Sequence, residues 1–252
     1  MGFSYVGCIW DWISGSGTTI TTQHPAATID VDAGDLIVAI GGWEDTVQDP
    51  IEDITLSSAS NTLVPSNGTW ATSITSSGGN FLVMAYKITA ANATESFTMT
   101  LPDAAPYRGI GIMVFRPDAG DTVTLDANGA NTGTGSGTDM QSANINTDYV
   151  SDNVIIGGAK WYSMGACTLE TIALATADAA VDLISSGSDC EMSMWYKSFT
   201  AIDPGDGISA YAKYGGGTVA WVCDILAYKS VAAAGGSTIP RYKKYYDYRR
   251  SQ

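Results

Sequence analysis

Apolar positions along this chain fall into two patterns, and both predict strands. Asp35-Leu-Ile-Val-Ala-Ile-Gly-Gly-Trp43 and Asn153-Val-Ile-Ile-Gly-Gly-Ala-Lys160 are short apolar runs bounded by turn residues, as buried strands require. Ser96-Phe-Thr-Met-Thr-Leu101 alternates cleanly, and Phe81–Ile88 alternates in part, as strands with one wet face do. No segment keeps an apolar stripe at i, i+3, i+4 and i+7 over three turns, so no amphipathic helix is expected. Ala90-Ala-Asn-Ala-Thr94 and Asp203-Pro-Gly-Asp-Gly207 read as turns. Turn signals recur roughly every 8–12 residues, the rhythm of a sandwich or jelly roll.

The pattern also repeats along the chain. Asp35–Trp43 returns as Asp152-Asn-Val-Ile-Ile-Gly-Gly-Ala-Lys-Trp161, and Met84-Ala-Tyr-Lys87 returns as Met194-Trp-Tyr-Lys197. Ser16-Gly-Thr18 matches Ser136-Gly-Thr138, and the apolar stretches Gly109–Phe115 and Val219–Tyr228 close the two halves. The matches keep their order with similar offsets, which separate coincidences would not do. The expected architecture is all-β, with two tandem, sequence-related antiparallel β-sandwich (jelly-roll-like) units at 1–117 and 118–234, the second a degenerate copy of the first. An extended C-terminal arm follows at 235–252. The low-complexity stretch Gly129–Thr138 reads as a loop leading into the second unit.

Composition agrees with this. The chain has 28 Gly, seven Trp and 13 Tyr in 252 residues, and its Lys, Glu and Gln are few. Its net charge of −14 is divided unequally. Residues 235–252 hold Arg241, Lys243, Lys244, Arg249 and Arg250 against Asp247, a net of +4; the body keeps 25 acidic and seven basic residues, −18. An acidic body argues against nucleic acid as a partner, because phosphate contacts need clustered cations. The first residues lack a positive n-region and a continuous apolar core, so no signal peptide is expected, and Val6 breaks the myristoylation pattern. No apolar run approaches about 18 residues, so no membrane span is expected. Cys8, Cys167, Cys190 and Cys223 show no C-x-x-C spacing and read as free buried thiols, with a Cys190–Cys223 bridge as the alternative. Asn67 and Asn92 sit in glycosylation sequons and read as loop residues.

Four of these elements together resemble a family of phage-encoded virion proteins: the Gly-Asp-Leu-Ile-Val strand at Gly34–Val38, the Tyr-Lys strand, the Phe-Thr-Met-Thr strand and a closing strand ending in Phe115-Arg116. The pattern covers most of residues 15–231. The resemblance implies a β-sandwich structural component of a tailed-phage particle, such as a capsid decoration or a tail- or fibre-associated protein. Such a protein would be made in the host cytoplasm and located in the virion, with other copies of itself or other virion proteins as partners. The resemblance supplies no catalytic residues and no cofactor.

The residues themselves point the same way. His24 is the only histidine, and Gly-x-Ser-x-Gly, a Walker loop and His-Glu-x-x-His do not occur, so no catalytic or metal residue is assigned. The acidic turn Asp30-Val-Asp-Ala-Gly-Asp35 departs from the calcium-loop order and reads as a turn leading into a strand. Asp45, Asp49, Glu52 and Asp53 form an acidic loop about Pro50.

Two candidate contact surfaces remain. The arm carries Arg241, Tyr242, Lys243, Lys244, Tyr245, Tyr246, Tyr248, Arg249 and Arg250, cations and tyrosines suited to an acidic, partly apolar surface. Trp10, Trp12 and Trp70 are the candidate glycan contacts of an adhesin reading, with Trp10 and Trp12 on one side of an N-terminal strand. Trp43, Trp161, Trp195 and Trp221 read as core, Trp43 and Trp161 at matched places.

Overall fold

A computed structural model of the chain describes residues 2–44, 54–60, 62–63, 73–77, 79–147, 152–162, 167–173, 175–184, 190–200 and 207–232. The arm, Trp70, Asn67 and the acidic loop Asp45–Asp53 lie outside the described residues, as does most of the turn Asp203–Gly207. The regular elements described are all strands. In the first half they are β1 (Phe3–Thr21), β2 (Ile29–Val31), β3 (Leu36–Glu44), β4 (Thr55–Ser58), β5 (Thr62–Leu63), β6 (Ser73–Ser77), β7 (Asn80–Ile88), β8 (Ala93–Glu95) and β9 (Phe97–Pro117). In the second half they are β10 (Asp121–Gly137), β11 (Asp139–Gln141), β12 (Asn153–Trp161), β13 (Cys167–Ile172), β14 (Ala175–Thr176), β15 (Ala179–Ile184), β16 (Cys190–Phe199), β17 (Ala210–Tyr214) and β18 (Val219–Ala232).

All pairings between these strands are antiparallel, and their order repeats. The first half runs β1-β9-β3-β7-β6, and the second runs β10-β18-β12-β16-β15. The smaller sheets repeat as well. β17 pairs with β11 as the first end of β9 pairs with the second end of β1, and it pairs with β13 as the first end of β9 pairs with β4; the Ile145–Ile208 bridge stands where β2 pairs with β8. Ser16-Gly-Thr18 falls at the register shifts within β1, and Ser136-Gly-Thr138 at the end of β10.

Three apolar cores explain why the Gly-Gly strands read as unbroken apolar runs. β3 and β12 are buried at every position. Leu36, Val38 and Ile40 of β3 meet Val154 and Ile156 of β12 in a central core drawn from both halves. The opposite faces line separate outer cores, Ile37, Ala39 and Trp43 in one and Ile155, Ala159 and Trp161 in the other. A strand with a core on each side has no polar face to alternate with.

The glycine pairs fit this layering. Gly41 faces Met99 and Val83 in the first outer core, and Gly42 faces Met192 in the central one. Gly157 packs under Trp195, and Gly158 under Ile40 and Met84. A Cβ at any of the four would fall within 3.0 Å of a side-chain atom, so a larger residue there requires the facing side chain to move.

Three expectations are corrected. Ser96–Leu101 and Gly109–Phe115 were expected as separate strands but belong to the single β9, whose first end pairs with β4 and second end with β3. Phe97, Met99, Ile110 and Ile112 nonetheless share one core, so β9 bends around it together with β1. The bend falls at register shifts in β1 around Gly15 and Gly17, where the buried Arg108 donates to the carbonyls of Thr19 (2.8 Å) and Ala105 (3.3 Å). Gly129–Thr138, expected as a loop, belongs to β10 as far as Gly137. Its glycines are packing positions: Gly133 abuts the Gln141 carbonyl and Gly135 the Trp221 ring.

The repeat is also less regular than its motifs. Taking Gly42 and Gly158 as equivalent, Ile40 matches Ile156, yet Tyr86 pairs across Val38 and Tyr196 across Ile156. The Met-x-Tyr-Lys motif is therefore displaced by two residues, and Trp161 stands two places beyond the equivalent of Trp43. Shifts of two keep every side chain on its face, so the cores tolerate them. Finally, Cys190 and Cys223 sit on β16 and β18, on opposite sides of β12. Two strand spacings, about 9–10 Å, exceed the span of a disulfide. Cys223 is a buried free thiol donating to the Ala210 carbonyl, and Cys8 and Cys167 are free and half-buried.

Candidate functional site

Each polar cluster among the described residues can be built from its strand upward. The acidic turn comes first. Gly34 has a positive φ of 96°, which lets the chain fold sharply into β3, and the Asp35 amide donates to the Asp32 carbonyl at 2.9 Å. The Asp35 carboxylate is almost wholly buried and receives Arg116 in bidentate fashion, Nε to Oδ1 and Nη2 to Oδ2, both at 2.9 Å. The same guanidinium reaches Asp32 at 2.8 Å. Asp30 accepts from the Thr94 hydroxyl at 2.6 Å, and the Ala33 amide donates to Asn92 at 2.8 Å. The turn's carboxylates are thus engaged by the protein itself, and the Asp35–Arg116 clamp joins the Gly-Asp and Phe-Arg ends of the strand pattern.

Trp10, Asp11 and Trp12 lie side by side on β1, paired with Gly109–Gly111 of β9. Both indoles turn inward toward the central core, but to different depths. Trp12 is 3% exposed and belongs to that core. An indole so enclosed has no face for a sugar, and Trp12 is withdrawn as a glycan contact. Trp10 is half-buried, and its ring lies against His24 with centroids 4.9 Å apart. A backbone bridge holds the pair: the Trp10 amide donates to the His24 carbonyl at 2.6 Å, and the His24 amide donates to the Trp10 carbonyl at 2.8 Å. His24 is more than half exposed, and its Nε2 stands 4.0 Å from Asp11 Oδ1. Burial raises the Asp11 carboxyl above its usual value, against the opposing effects of the Trp12 amide bond and the nearby imidazole. This small patch presents the exposed His24 imidazole beside the half-buried Trp10 ring, with the Asp11 carboxylate buried and bonded to the Trp12 amide. A 4.0 Å gap does not make Asp11 and His24 a hydrogen-bonded dyad.

A second polar centre lies where the halves meet, and it escaped the reading of the sequence. Lys160 of β12 is fully buried, and its Nζ stands 3.2 Å from Glu44 Oε1 at the end of β3. The ammonium also donates to the Trp161 carbonyl at 3.1 Å and lies 5.1 Å from the centroid of the Trp12 ring. The signal was present: each charge stands two residues beyond a Gly-Gly pair, in a strand that is otherwise apolar but for Asn153 at the start of β12. Asp35 and Arg116 were visible only as separate motif letters, 81 residues apart. Of the residues singled out from the sequence, the fold brings Trp10, Trp12 and His24 into one region; the arm residues and Trp70 lie outside the described residues.

The chain matches no protein-family model, no curated protein sequence and no solved structure. Among the described residues no helix is long and apolar enough to cross a membrane.

Proposed function

We propose that this chain is a non-enzymatic structural component of a tailed-phage virion, a capsid decoration or tail-associated protein, and that it assembles through its basic, aromatic C-terminal arm. The observation that carries the reading is how the described charges are used. Asp32 and Asp35 hold Arg116, Glu44 holds Lys160, Asp178 holds Lys197, and Arg108 holds backbone carbonyls. Charge devoted to fixing strands suits a rigid building block. The unequal charge of body and arm supports the mode of assembly: an arm of net +4 suits the acidic surface of a neighbouring copy or shell protein. The strand pattern of residues 15–231 supports the virion setting.

The test is deletion of Gly235–Gln252, followed by measurement of occupancy on the particle and self-association by sedimentation at low and high salt. The full chain is expected to associate in a salt-sensitive way and the truncated chain to lose that association. A truncated chain with unchanged occupancy would show the arm reading to be wrong.

A second reading, a carbohydrate- or receptor-binding adhesin module, draws on the Trp10–His24–Asp11 patch. Its discriminating measurement is a glycan array with the wild-type chain and Trp10→Ala. Binding lost in the variant would favour the adhesin over the structural part.

A further inference from the structure

Glu44 and Lys160 occupy equivalent positions, each two residues beyond the second glycine of its strand and each turned to the central core. These two positions meet each other. The glycines beside them also contact the opposite half: Gly42 lies under Met192 and the Lys160 stem, and Gly158 under Ile40 and Met84. When two like units pack face to face about a two-fold relation, a residue that meets its own equivalent lies beside the relating axis. Two copies of the first half joined through this face would bury Glu44 against Glu44. Two copies of the second half would bury Lys160 against Lys160.

We infer that the Glu44–Lys160 pair selects the partner of this apolar face, admitting the opposite half of the repeat and rejecting a like half from a second copy of the chain. The inference rests on the repeated strand order and the observed contact, and is independent of the virion reading. Stability alone accounts poorly for the pair, since a buried ion pair seldom outperforms apolar side chains of similar volume. Specificity accounts for it better, because like charges enclosed against each other disfavour the wrong contact. The lysine is further held by the Trp161 carbonyl and the Trp12 ring. Such a device lets a chain that displays two similar faces during folding close on itself and not join its neighbours.

The full-length chain is tested as wild type, Glu44→Lys, Lys160→Glu, the exchanged double variant Glu44→Lys/Lys160→Glu, and the apolar double variant Glu44→Leu/Lys160→Met. Each is unfolded in denaturant and refolded over a hundredfold range of concentration. Denaturation midpoints and the fraction of exchanged dimer, by light scattering after size exclusion, are compared with wild type. The apolar variant is expected to keep the wild-type midpoint or exceed it, while its exchanged-dimer fraction at high concentration rises at least threefold. The exchanged-charge variant is expected to be more stable than either single variant and to keep the wild-type dimer fraction. An apolar variant with wild-type midpoint and wild-type dimer fraction overturns the proposal. If the apolar variant does not fold, the exchanged-charge variant decides: a midpoint no higher than that of the worse single variant overturns the proposal, and recovery above both supports it.

Discussion

Strands β3 and β12 have the same place in sheets of the same order, both are buried from end to end, and both carry a Gly-Gly pair, yet their first residues are tied down differently. At the start of β3 the carboxylate of Asp35 is clamped by Arg116 from the end of β9. At the start of β12 the Asp152 side chain is not used in this way: its carbonyl accepts from the Ser230 amide at 3.2 Å, and the Ser230 hydroxyl donates to Asp121 at 2.7 Å. The difference shows which parts of a strand the fold constrains. In mid-strand, two cores and a neighbouring sheet leave room only for particular side-chain sizes, and the glycines recur. At the strand end, any donor and acceptor of suitable geometry will hold the chain, and the chemistry diverges.

Substitutions in matched places can break this likeness or sharpen it. Trp43→Ala and Trp161→Ala empty equivalent faces of the two outer cores, and each is expected to cost about 3–5 kcal/mol by chemical denaturation. Near-equal losses would show that both outer cores stabilise the molecule alike, and a large imbalance would show that one half depends on the other. Arg116→Ala leaves the Asp35 carboxylate enclosed without its cation, with an expected cost of about 2–3 kcal/mol because the guanidinium itself is partly exposed. Ser230→Ala removes only a neutral donor to Asp121 and should cost about 1 kcal/mol. Equal losses at Arg116 and Ser230 would mean that β3 and β12 are held alike at their starts.

Gly133→Ala probes whether the glycines of β10 are packing positions, because its Cβ would fall 2.1 Å from the Gln141 carbonyl oxygen. The expected loss is about 1–3 kcal/mol, with the strand retained by circular dichroism. The smallest effect is a pH dependence at Asp11. Burial raises its carboxyl in the folded state, so the folded chain holds that proton more tightly than the unfolded chain. Stability contributed by this group is present at low pH and is lost as pH rises from the unfolded value of about 3.8 through the raised folded value. Asp11→Asn should remove that downward slope from a plot of denaturation midpoint against pH; an unchanged slope would show that Asp11 is not its source.

The Trp-Asp-Trp sequence illustrates how far the candidate site was legible. Alternation placed Trp10 and Trp12 on one side of a strand, and the fold keeps them there. It could not show that this side faces a second sheet and not solvent. A period of two assigns residues to faces, but what covers a face is set by strands far away in the chain. Trp12 is therefore a core residue beneath the Lys160 ammonium, and only Trp10 keeps surface beside His24.

The sequence by itself determined the local matters. Apolar runs and alternation specified strands, the repeated Gly-Gly element marked equivalent strands, and the want of helical periodicity excluded bundles. It also separated an acidic body from a basic arm, because charge is additive along a chain. The tertiary structure alone decided which strands are neighbours, that β9 continues through two pairings, and that the halves share a central core. Above all it decided the partners of the isolated charges. Asp35 and Arg116, and Glu44 and Lys160, are 81 and 116 residues apart. A buried charge states only that it needs a partner, and sheet register determines which partner is within reach.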